Sequence, residues 1–121
     1  MYKLLIVDDE VEVRNGYAHF YPWETVGFIV CGTAANGVEA MNFISRHEFD
    51  VNLCDIAMPV MYGISLAQKV SEIYPHILLI MLTAYSEMEQ MRKLMKCHIF
   101  SYVIKHEKNE VLLTVMRECK E

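Results

Sequence analysis

VNLCDIAMP, residues 51–59, is the stretch on which the fold turns. Val51, Leu53, Cys54 and Ile56 suit a strand covered on both faces, since strands of parallel sheets read as near-continuous apolar runs. Asp55 breaks that run at its carboxyl end, and Met58-Pro59 then breaks the strand. A carboxylate is rarely buried without a partner. The expectation is therefore that Asp55 lies at a sheet edge, not truly buried, with a chemical task there.

Working outward, short apolar runs alternate with helix-period segments. KLLIV (3–7), FIVCGTA (28–34), DVNLCD (50–55), HILLIML (76–82) and IFSYVI (99–104) read as five strands. A helix follows the first and runs to about Tyr21, with Val13, Tyr17, Phe20 and Tyr21 on one apolar face until Pro22 stops it. Asn36-Gly37 opens a second, with Val38, Met41 and Ile44 on one side. Residues 63–74 form a third (Ile64, Ala67, Val70, Tyr74). Met88, Met91 and Met95 mark a fourth over 86–96, and Val111, Leu112, Val115, Met116 and Cys119 a fifth. Strands alternating with helices predict an α/β three-layer sandwich, a parallel sheet with helices on both faces.

Composition narrows the function. The 121 residues, 54% of them hydrophobic, suffice for one core, so 1–121 reads as a single domain. A formal net charge of -5 without a Lys/Arg run disfavours nucleic-acid binding by this surface. MYKLLIVDDE is too short an apolar run for a secretory signal, and no stretch approaches the roughly 20 apolar residues of a membrane span. A soluble, cytoplasmic protein without membrane contact is expected. Cys31, Cys54, Cys97 and Cys119 lack paired spacing and read as reduced thiols. Cys97-His98 with His106 is a poor zinc site, because structural zinc wants four ligands.

Parallel sheets place ligands at the carboxyl ends of their strands. Those ends carry Asp8-Asp9-Glu10, Asp55, Thr83-Ala84 and Lys105. Taken singly, acids after a strand often cap a helix; jointly, they are a constellation. Clustered carboxylates repel one another, and a hard divalent ion such as Mg2+ relieves this while sharing phosphate oxygens. Thr83 and Lys105 would hold the remaining oxygens of a phosphoryl group. The arrangement asks for phosphoryl chemistry on a carboxylate.

LLIVDDE, LCDIAMPVMYG, MLTAY and SYVIK, in this order and at these intervals, resemble the receiver (CheY-like) domain of two-component response regulators across essentially the whole chain. The resemblance implies a flavodoxin-like sheet in the order 2-1-3-4-5 with five helices. It implies phosphorelay signalling rather than an enzyme, with Asp55 as phosphoacceptor from a sensor histidine kinase. Asp8, Asp9, Asp55 and the backbone carbonyl of Ala57 would hold Mg2+. Thr83, the Ala84 N–H and Lys105 would contact the phosphoryl group, and Tyr102 would be the aromatic switch turning inward as Thr83 moves. The face formed by residues 86–120 would be the output surface, able to form a homodimer. Residues 22–40, PWETVGFIVCGTAANGVEA, are similar to receivers preceding an AraC-type DNA-binding domain. DNA would be reached only through such a domain, absent from this chain, which favours an excised receiver over a stand-alone one.

Three positions depart from the family pattern. His106 follows Lys105 where Pro, with a cis bond, is usual; a cis non-proline bond costs about 3 kcal/mol, so a trans bond and a re-routed loop are expected. Tyr62 stands where an Asp usually caps the third helix, and His98 where a Gly usually ends the fourth. Tyr85 and Ala57, two residues after Thr83 and Asp55, flank the approach of water and suggest slow hydrolysis of an aspartyl phosphate. Trp23 is expected in a loop at the far end of the sheet. The rivals are a dehalogenase-type phosphatase, which would separate its acids by one residue, and a flavin binder, whose phosphate DDE would repel. A receiver-like interaction module that has lost phosphorylation is the third.

Overall fold

The computed structural model describes residues 1–56, 63–84, 100–104 and 109–119. Strand β1 (Tyr2–Val7) leads into helix α1 (Val11–Phe20), a 3-10 turn (Trp23–Val26) and β2 (Phe28–Ala34). Helix α2 (Gly37–Arg46), β3 (Val51–Asp55), α3 (Gly63–Ile73), β4 (Leu78–Thr83), β5 (Ser101–Ile104) and α4 (Asn109–Glu118) follow. All neighbouring strands pair in parallel, in the order β2-β1-β3-β4-β5. This is the expected doubly wound α/β sheet. The expected helix over 86–96, with its three methionines, lies outside the described residues.

Alternation along the strands sends side chains to two cores, because successive residues of a strand face opposite ways. Leu5, Val7, Cys54, Leu79 and Met81 meet Ala40 and Ile44 of α2 and Leu66, Ala67 and Val70 of α3. Leu4, Ile6, Leu53, Ile80 and Leu82 meet Trp23, Val26, Phe28 and, from α4, Leu112 and Met116. Gly32 lies where β2 crosses the first core closely: a Cβ there would stand 3.2 Å from Phe49 Cζ and 3.3 Å from Leu5 Cδ1, so those side chains would have to shift.

Local chemistry sets the element ends. Asn36 caps α2, its side chain accepting the Glu39 N–H at 2.9 Å, while Glu39 Oε2 accepts the Ala35 N–H at 3.2 Å. These are the reciprocal bonds of a capping box displaced by one residue. Asp50 comes just before β3; its carboxylate accepts the Lys3 N–H at 2.7 Å, and its own N–H donates to the Lys3 carbonyl at 2.9 Å. His76 and Ile77 fall in a turn closed by the Ile77 N–H on the Tyr74 carbonyl at 3.0 Å, so β4 begins two residues later than expected and runs on through Thr83.

Two helix faces differ from the sequence reading. Phe20 is 82% exposed, because α1 ends there and the chain turns away through Tyr21 and Pro22. Tyr17 and Tyr21 pack inward without it. In α2 the buried face is Gly37, Ala40 and Ile44, with Met41 beside it, and Val38 points outward. The first is an end effect of the helix; the second is a one-position error, which small residues such as Ala40 conceal in a hydrophobic pattern. Trp23 sits, as expected, at the end of the sheet away from the strand carboxyl termini, but buried. Its indole N–H donates to the Tyr17 carbonyl at 2.6 Å, and its ring stacks on Tyr21 with centroids 5.2 Å apart.

Candidate functional site at the carboxyl edge of the sheet

Strand pairing brings the acids together. Val7 is in register with Cys54, so the next residues, Asp8 and Asp55, emerge side by side from adjacent parallel strands whose backbones run about 4.8 Å apart. Asp8 still belongs to the ladder through its N–H on the Ala34 carbonyl at 3.1 Å. Carboxylate oxygens of Asp8, Asp9 and Asp55 all lie within 4.8 Å of one another.

Burial corrects the sequence reading. Asp55 was expected to escape burial at the edge, yet it is 1% exposed and Asp8 is fully buried; only Asp9 is half-exposed. Both buried acids leave inner strands of the sheet, β1 and β3, each flanked by a neighbouring strand on either side. Two desolvated carboxylates beside a third form a donor set of hard oxygens, the chemistry that Mg2+ or Ca2+ prefers over softer ions. The three residues fit an Mg2+ ion.

The turn joining β1 to α1 is tied down twice. Asp8 Oδ1 accepts the Glu10 N–H at 2.9 Å, and the Asp8 carbonyl accepts a bond from the Arg14 guanidinium at 2.8 Å. Glu10 occupies the N-cap of α1 without a side-chain cap bond. Capping by the acids thus exists, but it is Asp8 that supplies it, through an Asx-type turn. Arg14 was not singled out from the sequence. The available signal was a basic residue one turn into a helix, on the same side as the acids that precede it.

Thr83 ends β4 fully buried, its hydroxyl donating to the Ala84 carbonyl at 3.1 Å. Asp55 pairs in register with Leu82, and the Ile56 N–H reaches the Leu82 carbonyl at 3.0 Å, so Thr83 follows directly beside the Asp55 strand end. Tyr102 lies on β5 opposite Met81 and is 40% exposed, an outward position. Tyr17 on α1 faces the same region: its phenol is pushed above its usual 10 by burial first, then by Tyr21 and the charges of Asp8 and Asp55. Ala57, Tyr62, Tyr85, Cys97, His98, Lys105 and His106 lie outside the described residues.

Residues 4–117 match the response regulator receiver domain family, and the chain belongs to that family. It is a receiver domain of a two-component response regulator. Among similar proteins, the transcriptional regulatory protein YesN of Bacillus subtilis is 32% identical over 118 residues, 98% of this chain and 32% of that protein. HptR, a transcriptional regulatory protein of Staphylococcus aureus, is 32% identical over 116 residues, 93% of this chain and 45% of that protein. The chain thus spans between about a third and a half of these relatives. Among solved structures, the receiver domain of AraT, a response regulator from Geobacillus stearothermophilus, has a TM-score of 0.86 at 28% identity, covering 98% of this chain and 95% of that one. A two-component transcriptional regulator AraC from Clostridium phytofermentans has a TM-score of 0.88 at 28% identity, covering 98% of this chain and 92% of that one. The resemblance of residues 22–40 to AraC-type receivers agrees with these neighbours. No described helix is long and apolar enough to cross a membrane.

Proposed function

We propose that the whole chain, 1–121, is one receiver domain that takes a phosphoryl group from a sensor histidine kinase onto Asp55. The observation carrying this reading is the cluster of Asp8, Asp9 and Asp55, with ligand oxygens within 4.8 Å and two of the three carboxylates buried. Bound Mg2+ would supply charge neutralisation for both the carboxylates and the incoming phosphoryl oxygens. Asp8, Asp9, Asp55 and the Ala57 carbonyl would hold it. Asp55 is the acceptor because it alone of the three ends the central strand β3, next to Thr83 on β4.

The Thr83 hydroxyl now turns to the Ala84 carbonyl. It would exchange that bond for a phosphoryl oxygen, while the Ala84 N–H and Lys105 would take the others. Movement of Thr83 opens space on the β4–β5 side, into which the outward Tyr102 would turn. A phosphoryl group adds nearly two negative charges, so the switch is a local electrostatic event that biases a two-position element. The surface spanning residues 86–120 would then change its affinity for a second copy or for an attached DNA-binding domain, in keeping with the transcriptional regulators among the relatives. The site would work in the cytoplasm, where such kinases present their phosphohistidine.

The test is direct. Protein incubated with acetyl phosphate and Mg2+ should gain the mass of one phosphoryl group, and Asp55→Asn should gain none. Absence of the gain in the unsubstituted protein would leave the phosphorylation-independent interaction module as the better reading.

A further inference from the structure

We infer that Arg14 is a positioning residue for the metal ligands. This assignment rests on the Mg2+ site proposed above and concerns a residue outside its ligand set. Arg14 stands one turn into α1, close enough to the amino end for a cation to oppose the positive end of the helix dipole. A basic residue there needs a local reason, and the acids supply it. Side chains on a helix lean toward its N-terminus, which carries the guanidinium back over the start of the helix to the Asp8 carbonyl, at 2.8 Å.

That carbonyl is the first main-chain oxygen beyond the last residue of β1. Its bond to Arg14 fixes the peptide plane between Asp8 and Asp9, hence the directions in which both carboxylates leave the chain. The Glu10 N–H on Asp8 Oδ1, at 2.9 Å, fixes the same turn from the side-chain end. With both restraints the ligand oxygens are held close enough for one ion to bridge them. Without Arg14 the mutual repulsion of the carboxylates can rotate that plane and spread them. Groups that orient metal ligands typically contribute about 10- to 100-fold in metal affinity.

Mg2+ binding measured by titration calorimetry on the purified chain decides the assignment, with thermal unfolding in EDTA run beside it. Arg14→Met keeps an unbranched, flexible stem and removes the donor. It should bind Mg2+ about tenfold more weakly or worse while melting within a few degrees of the unsubstituted protein in EDTA. Arg14→Lys, which restores a donor without the planar fork, should bind with intermediate affinity. Unchanged or tighter binding in Arg14→Met overturns the assignment, tighter binding meaning that Arg14 only repels the ion. Equal losses in Arg14→Lys and Arg14→Met, or a large loss of stability in EDTA in both, also overturn it, since the role would then be structural. If the unsubstituted protein binds no Mg2+, the metal reading fails together with this one.

Discussion

Asp8→Asn should make the metal-free protein more stable and much less responsive to Mg2+. Asn retains an Oδ1 for the Glu10 N–H, so the turn into α1 survives the substitution. What it removes is one charge from a cluster whose oxygens lie within 4.8 Å of each other. Two unit charges at that separation repel by about 3.5 kcal/mol at an effective dielectric near 20, and by about 1 kcal/mol in water. The higher figure suits Asp8 and Asp55, both buried, and the lower suits half-exposed Asp9. Against this, a carboxylate's hydrogen bonds weaken on neutralisation by about 1–3 kcal/mol. A net gain of about 2 kcal/mol remains, worth roughly 6–10 °C in melting temperature for a domain of this size. Thermal unfolding followed by far-UV circular dichroism, in EDTA and in saturating Mg2+, measures both halves. The unsubstituted protein should gain about 2–3 kcal/mol from Mg2+ at a hundred times its dissociation constant, and Asp8→Asn far less. A lower melting temperature in EDTA, together with an undiminished Mg2+ response, would refute the view that the cluster is strained by its own charge and relieved by a cation.

Other consequences are as concrete. Asn52 is fully buried in β3 between Leu5 and Leu79, and among the described residues neither its Oδ1 nor its Nδ2 has a hydrogen-bond partner; Asn52→Leu should therefore stabilise by about 1–3 kcal/mol in urea unfolding. Asn36→Ala removes the cap on the Glu39 N–H and should cost about 1 kcal/mol in the same assay. Because the Tyr17 phenol is held above its usual 10 in the fold, its contribution is complete below pH 10 and is lost as pH rises beyond it. Tyr17→Phe should flatten that alkaline fall in stability, and an unchanged slope would place the titration elsewhere. Trp23 precedes β2 at the amino end of the sheet, whereas the acids lie at the carboxyl end, so its fluorescence should change little on Mg2+ addition; strong quenching would contradict the placement.

The sequence alone was enough for the layer architecture, because apolar runs of strand length alternating with helix-period segments admit few other solutions. It was enough too for the acids and Thr83 at one edge, since a parallel sheet puts every strand's carboxyl end on the same side. The strand order came from a resemblance, and pairing confirms it. Tertiary structure alone decided three matters. The buried faces of the helices were one: a pattern counts Phe20 and Val38 as apolar but cannot see where the chain turns or that Ala40 is the contact. Arg14 was another, because its bond to the Asp8 carbonyl depends on the angle at which α1 leaves β1. The last was burial of Asp55: a strand end looks open in sequence, but β3 lies inside the sheet between β1 and β4, and its last residue is buried there. Depth from solvent belongs to the packed layers and not to any one segment, so the environment that turns an ordinary aspartate into part of a close acidic cluster appears only when the layers meet.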